Sequence, residues 1–173
     1  MITTMTTAKF QITDRWTGVV RFECELPAEI AEQNYGSRIG FAIKKALEVG
    51  ANLADTCLTC ADLKGVSLKG VCLKGVNLTH SNLTGACLKS ANLTGADLAY
   101  SFLKNACLKN ACLKGADLEI SDLAYSNLTG ANLKGAHLKG VYLKGACLKG
   151  ACLKGAYIRG ANFTDACLKG AKW

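Results

Sequence analysis

From residue 53 onward, a large apolar side chain returns at every fifth position. Leucine fills these positions without interruption from Leu53 to Leu153, and Ile158, Phe163, Leu168 and Trp173 complete a run of twenty-five units with no slip in phase. Two residues before each centre stands a small side chain: Ala at sixteen places, Ser or Val at four each, and Thr56 once. The residue after the centre is usually Lys or Thr, and the next is usually Gly. A period of five fits neither an α-helix at 3.6 nor a plain strand at 2, so the chain must turn every five residues. The small residue and the centre are two apart and face the same way in extended chain, while the residues between and after them face out. Glycine relaxes the backbone at each corner. The pattern predicts a coil with one small and one large inward side chain per side, stacked on the coil below. Leu53, Leu73, Leu93, Leu113, Leu133 and Leu153 are expected to form one column of its core.

The segment before the repeat reads differently. Phe10–Thr13 and Val19–Leu26 alternate like strands around Asp14–Gly18, which predicts a hairpin. Pro27 and Gly36 bracket a stretch without a clear period. Ser37 is placed as the N-cap of a helix from Arg38 to Val49, with Ile39, Ala42, Ile43, Ala46 and Leu47 on its apolar face and Gly50 ending it. Residues 1–49 are therefore expected to form a small α+β cap on the exposed edge of the first coil, and residues 50–173 the coil itself.

Runs such as Ala-Asn-Leu-Thr-Gly at 91–95, Ala-Cys-Leu-Lys-Gly at 146–150 and Ala-Asp-Leu-Lys-Gly at 61–65 resemble the pentapeptide-repeat family. The resemblance implies an all-β solenoid, a right-handed quadrilateral parallel β-helix with four pentapeptides per coil. Twenty-five units then make about six coils, a rod roughly 30 Å long at about 4.8 Å per coil. More weakly, the N-terminal segment resembles the openings of some phage or prophage members. The resemblance also implies that a second copy can pair with the C-terminal end as a homodimer; the alternative is that Trp173 plugs the last coil.

The chain is half hydrophobic with a formal net charge of +8, and that excess lies entirely in residues 51–173. Some members of the family protect DNA gyrase and topoisomerase IV with an acidic rod similar to duplex DNA. A basic rod whose acids are confined to positions such as Asp62, Asp97, Asp117 and Asp122 departs from that pattern. No stretch has the length of a transmembrane helix. Residues 1–7 lack the basic start and apolar run of a signal peptide, which places the protein in the cytoplasm with no membrane partner. Eight of the ten cysteines recur in one phase of the repeat, so their spacing follows the repeat and not a disulfide framework, and reduced thiols are expected.

Residues twenty apart should stack, which sorts the exterior into four faces named by their first centres: 53, 58, 63 and 68. The 68 face carries Lys69, Lys89, Lys109, Lys149 and Lys169, and the 53 face Lys74, Lys114, Lys134 and Lys154. Such ladders are a candidate anion or nucleic-acid surface, or simply keep a hydrophobic rod soluble. Cysteines line the same two faces, read as small packing residues. Cys57, Cys60 and His80 form a three-member soft-ligand cluster that lacks a fourth ligand, and no metal or other cofactor is assigned. At the corner after the 58 face, glycine gives way to Cys60, His80, Tyr100 and Ile120. The neighbouring 63 face projects Phe102, Asp122 and Tyr142, with Tyr125 at the corner that follows. Outward aromatic groups in one place point to a protein interface. With His80 and His137 almost three coils apart and no cleft, an enzyme is not expected. The sequence favours a non-catalytic interaction module or scaffold for an unidentified protein partner.

Overall fold

The computed structural model describes residues 8–173, and the first seven residues lie outside it. The chain opens with strands β1 (Ala8–Thr13) and β2 (Val20–Leu26), paired antiparallel with Ile12 opposite Phe22 and an irregularity at Thr13. Asp14 organises the turn between them: Oδ1 accepts from the amides of Trp16 (3.0 Å) and Thr17 (2.8 Å), and Arg21 donates to Oδ2 at 2.7 Å. The Arg21 hydrogen bond and then the two amides hold the Asp14 carboxyl far below the usual carboxylate range.

Two helices follow, α1 (Ala28–Ala31) and α2 (Tyr35–Glu48). Helix α2 starts three residues earlier than the sequence suggests, and its cap is Asn34, whose Oδ1 accepts from Ser37 N at 3.0 Å, not Ser37. Gly36 reads as a breaker in sequence but sits inside the first turn for a packing reason. A Cβ there would lie 2.7 Å from the Cys60 carbonyl oxygen, and one on Gly40 would run into the Asp62 carbonyl oxygen. Two glycines four apart on one helix face let α2 lie directly on the repeat backbone. Ile39, Ala42, Ile43 and Ala46 bury their side chains in one cluster with Phe10, Ile12, Leu26 and the first centres of the repeat.

Beyond Gly50 the backbone settles into a coil. Parallel bridges join each residue before a centre to its counterpart twenty residues on, from Cys57↔Asn77 to Cys152↔Lys172. The ladder repeats with one geometry: Leu78 N donates to Asp97 O at 2.7 Å, and Asp97 N to Val76 O at 2.8 Å. At each corner the residue after the turn bonds back three positions, as in Ala96 N to Leu93 O at 3.0 Å, with positive φ at the second turn residue, here Gly95 at 64°. That is the signature of a type II turn, and it explains the glycine of the repeat. The central leucines from Leu53 to Leu153 are at most 1% exposed. Where serine replaces the small alanine, its hydroxyl is satisfied locally, as in Ser121 Oγ to Leu118 O at 2.7 Å.

The frequent Asn or Asp before the centre also has a structural cause. Asn77 Oδ1 accepts from Thr79 N at 3.0 Å and Asp117 Oδ1 from Glu119 N at 2.9 Å. Each side chain satisfies an amide two residues on that the ladder leaves free.

Candidate interaction surface

The 63 face and its leading corner carry the aromatic residues. Phe102 and Tyr142 project from the face two coils apart with Asp122 between them, while Tyr100 and Ile120 stand at the corner; these four large side chains are 42% to 54% exposed. They enclose a groove of about 400 Å³ lined by Tyr100, Phe102, Ile120, Asp122, Tyr142 and Lys144. A second depression of about 440 Å³ runs toward α2 past Asn82, His80, Cys60 and Gly36, and shares Phe102 and Asp122 with the first. Tyr125, at the far corner, does not line this groove. Its ring lies over Gly145, with Lys104 Nζ 5.9 Å from the ring centroid.

The corner itself is unusual. Cys60, His80, Tyr100 and Ile120 hold φ between 56° and 59°, where glycine occupies the same corner in later coils at Gly140 and Gly160. A left-handed residue with a Cβ costs about 1–2 kcal/mol, and a β-branched one such as Ile120 is a true outlier. His80 stacks on Tyr100 with ring centroids 5.1 Å apart and planes 10° from parallel. Ile120 Cγ1 sits 3.4 Å from where a Cβ on Gly140 would be, so the glycine below gives the isoleucine its room.

At the Cys57, Cys60 and His80 cluster, the His80 ring stacks on Tyr100, and among the described residues no three His, Cys, Asp or Glu side chains gather as metal ligands. The lysine ladders lie on the 68 and 53 faces, exposed except for the half-buried Lys89, and none of these lysines is in an ion pair among the described residues. On the 58 face, Lys139 donates to Glu119 at 2.8 Å, and that bond, then the carboxylate charge, raises the lysine pKa. The same face holds His137 edge-on to Tyr157, with centroids 4.9 Å apart, and Tyr157 is well exposed. Sequence reasoning passed over Tyr157, which shares the phase of Phe102 and Tyr142 but stands on a different face. Of the two alternatives for the last coil, a plug by Trp173 is not what the structure has: the residue is 58% exposed, with its ring edge-on to Phe163 at 6.2 Å.

A family model for pentapeptide repeats matches residues 49–85, 86–123 and 121–160. The chain belongs to the pentapeptide-repeat family. Membership makes the repeat a right-handed quadrilateral β-helix. Among solved structures, this pentapeptide-repeat protein is similar to one from the thylakoid lumen of Arabidopsis thaliana, at 33% identity over 60% of this chain and 69% of that one, with a TM-score of 0.47. It is also similar to Rfr23 from the cyanobacterium Cyanothece 51142, at 28% identity over 68% of this chain and 90% of that one, with a TM-score of 0.38. QnrB1, a plasmid-mediated fluoroquinolone resistance protein, aligns at 19% identity over 67% of this chain and 81% of that one, with a TM-score of 0.34. No curated protein matches the chain. Among the described residues, no helix is long and apolar enough to cross a membrane.

Proposed function

We propose that this pentapeptide-repeat protein is a non-catalytic interaction module that presents the groove around Tyr100, Phe102, Ile120 and Tyr142 to a protein partner. The observation that carries this reading is the left-handed corner. Three large residues in succession, His80, Tyr100 and Ile120, occupy a position where glycine is unstrained, and all three border the depressions on the 63 face. A backbone outlier kept at a surface position supports a role for the displayed side chain. Half-exposed aromatic groups gathered along one groove match the aromatic enrichment of interface centres.

In this reading residues 1–49 cap the first coil, residues 50–173 form a rod of about six coils, and the protein works in the cytoplasm. Tyr125 and Lys104 form a rim. The topoisomerase-protecting reading is disfavoured because the rod carries the entire net charge of +8. Ile158 and Trp173 are exposed on the last coil described, and a homodimer through that coil belongs to the same proposal. The test is capture from host lysate at low and moderate salt by the native protein and by the Phe102→Ser, Tyr142→Ser double variant. A discrete protein retained at moderate salt by the native chain and lost by the double variant is expected. Equal capture by both would sink the reading. Recovery of salt-labile nucleic acid, abolished by Lys109→Glu with Lys149→Glu, would move the function to the lysine ladders.

A further inference from the structure

The 68 face carries a thiol column beside its lysine column, and the interaction surface accounts for neither. Cys87 pairs with Cys107, and Cys147 with Cys167, as direct partners in the parallel ladder. Backbone bonds fix both pairs in register: Leu88 N to Cys107 O at 2.7 Å and Cys107 N to Ala86 O at 2.9 Å, then Leu148 N to Cys167 O at 2.8 Å and Cys167 N to Ala146 O at 2.9 Å. All four are free thiols, three half-buried and Cys167 exposed. In-register side chains on a sheet stand parallel, so each pair keeps the ladder spacing of about 4.8 Å. A disulfide needs its Cβ atoms about 3.8 Å apart, closer than stacked parallel side chains stand. Two metal–thiolate bonds of about 2.3 Å laid end to end span about 4.6 Å, which fits an ion seated between the two sulfurs.

The surroundings suit such an ion. Two contacts show which residue adjoins each sulfur from the coil before: Thr129 Oγ1 lies 3.3 Å from Cys147 Sγ, and Thr94 Oγ1 3.2 Å from Cys112 Sγ. Each is the residue eighteen before its cysteine. By that relation Lys69 adjoins Cys87, Lys89 adjoins Cys107 and Lys149 adjoins Cys167. Soft thiolates suit Cu(I), zinc and iron–sulfur clusters, and of these zinc and the clusters call for about four protein ligands where each pair here offers two.

We propose that Cys87–Cys107 and Cys147–Cys167 are two digonal thiolate sites for a soft monovalent cation of the Cu(I) class. Each site releases its two thiol protons to solvent as the ion forms two bonds to sulfur. The resulting unit carries one negative charge, which the flanking lysines offset. The 53 face supplies an internal control. There Cys72, Cys112 and Cys152 are kept two coils apart by Asn92 and Asn132, about 9.6 Å, too far for one ion to bridge.

The experiment titrates the full, reduced chain anaerobically with Cu(I) held by a competing chromophoric chelator. Cys107→Ser with Cys167→Ser breaks both pairs, whereas Cys112→Ser with Cys152→Ser removes the same number of thiols and leaves the pairs whole. Circular dichroism establishes that both variants keep the coil, and Cys57 and Cys60 are common to both. The native chain and the control are expected to withdraw two more equivalents from the chelator than the pair-broken variant, whose affinity at those sites falls at least 100-fold. X-ray absorption is expected to show two sulfurs per copper. Equal uptake by the two variants, no uptake against the chelator, or three or more sulfurs per copper would overturn the proposal.

Discussion

If Ile120 is displayed and not packed, replacing it should leave the rod's stability nearly unchanged. Asparagine is the informative replacement, because Asn105 and Asn110 already occupy equivalent corners with φ of 60° and 58°. The native residue is 42% exposed, so a little over half of its side chain is out of water. Full burial of an isoleucine contributes about 1.5–3 kcal/mol, so the substitution removes about 1–1.5 kcal/mol of that term. Against this, relief of the left-handed strain returns about 1–2 kcal/mol, since asparagine tolerates that region. The two terms nearly cancel, and Ile120→Asn should change stability by less than about 1 kcal/mol, read from the urea midpoint at unchanged slope. Leu118→Ala, two residues away and 1% exposed, should lose about 2–5 kcal/mol in the same assay. Partner capture should fall with Ile120→Asn although the fold is intact. A loss above about 2 kcal/mol for Ile120→Asn would refute the reasoning, because it would make Ile120 a packing residue kept for the fold.

Three further outcomes follow from the architecture. Gly40→Ala should lower the urea midpoint by an amount equivalent to about 1–3 kcal/mol, although alanine is the better helix former, because the added methyl meets the Asp62 carbonyl. Leu113→Asp, at a position with no exposure, should lose more than about 4 kcal/mol and abolish the cooperative thermal transition. Asp14 titrates well below its ordinary value of 3.8 in the folded chain, so its contribution is complete above that value and is lost as the pH falls through the folded one. The native melting temperature should therefore drop more steeply below about pH 4 than that of Asp14→Asn, and parallel curves would remove Asp14 from the account.

The repeat was legible because a period of five leaves the chain no regular alternative, and the inward phase is nearly uniform from Leu53 to Leu153. The stacking of residues twenty apart followed from that uniformity once the coil had four sides. The N-terminal segment was less legible because its decisive contacts are not periodic. Gly36 looked like an interruption and Gly40 carried no signal of its own, whereas their meaning lies in the carbonyls of Cys60 and Asp62, which local sequence does not reveal. The aromatic groups could be assigned to one side of the rod, but not to one groove. Tyr125 belongs to the same side in sequence, yet its ring folds over Gly145 and away from Phe102 and Tyr142. The pairing of Cys87 with Cys107 was visible, and what it lacked was the flank: only the Thr129 and Thr94 contacts show which neighbours stand beside each sulfur.

Such a coil separates what holds it together from what it shows. Each coil contributes the same ladder bonds and the same pair of inward residues, so the outward phases can change at little cost to the fold. Random drift on such a surface should scatter bulky residues over all corners and should favour glycine wherever φ is positive. Other corners do admit Ser90, Asn105, Asn110, Tyr125 and Asp165 at positive φ, but one corner gathers three large residues in succession. At the corner between the 58 and 63 faces, Cys60, His80, Tyr100 and Ile120 succeed one another without a glycine, and the strain summed over four positions is about 4–8 kcal/mol at the usual cost per residue. At the corner after the 53 face, the single exception among the glycines is Asp55, whose carbonyl accepts from Arg15 N at 2.8 Å and so anchors the hairpin turn. Asp55 shows what a structural exception looks like: one residue with an identifiable partner within the chain. The four residues of the other corner have one another for neighbours, the rings of His80 and Tyr100 lie parallel at its middle, and the groove opens beside them. Inside the chain that strain meets only the packing of Gly36 on the Cys60 carbonyl and of Ile120 over Gly140, and an external partner balances the display of His80 and Tyr100 most simply.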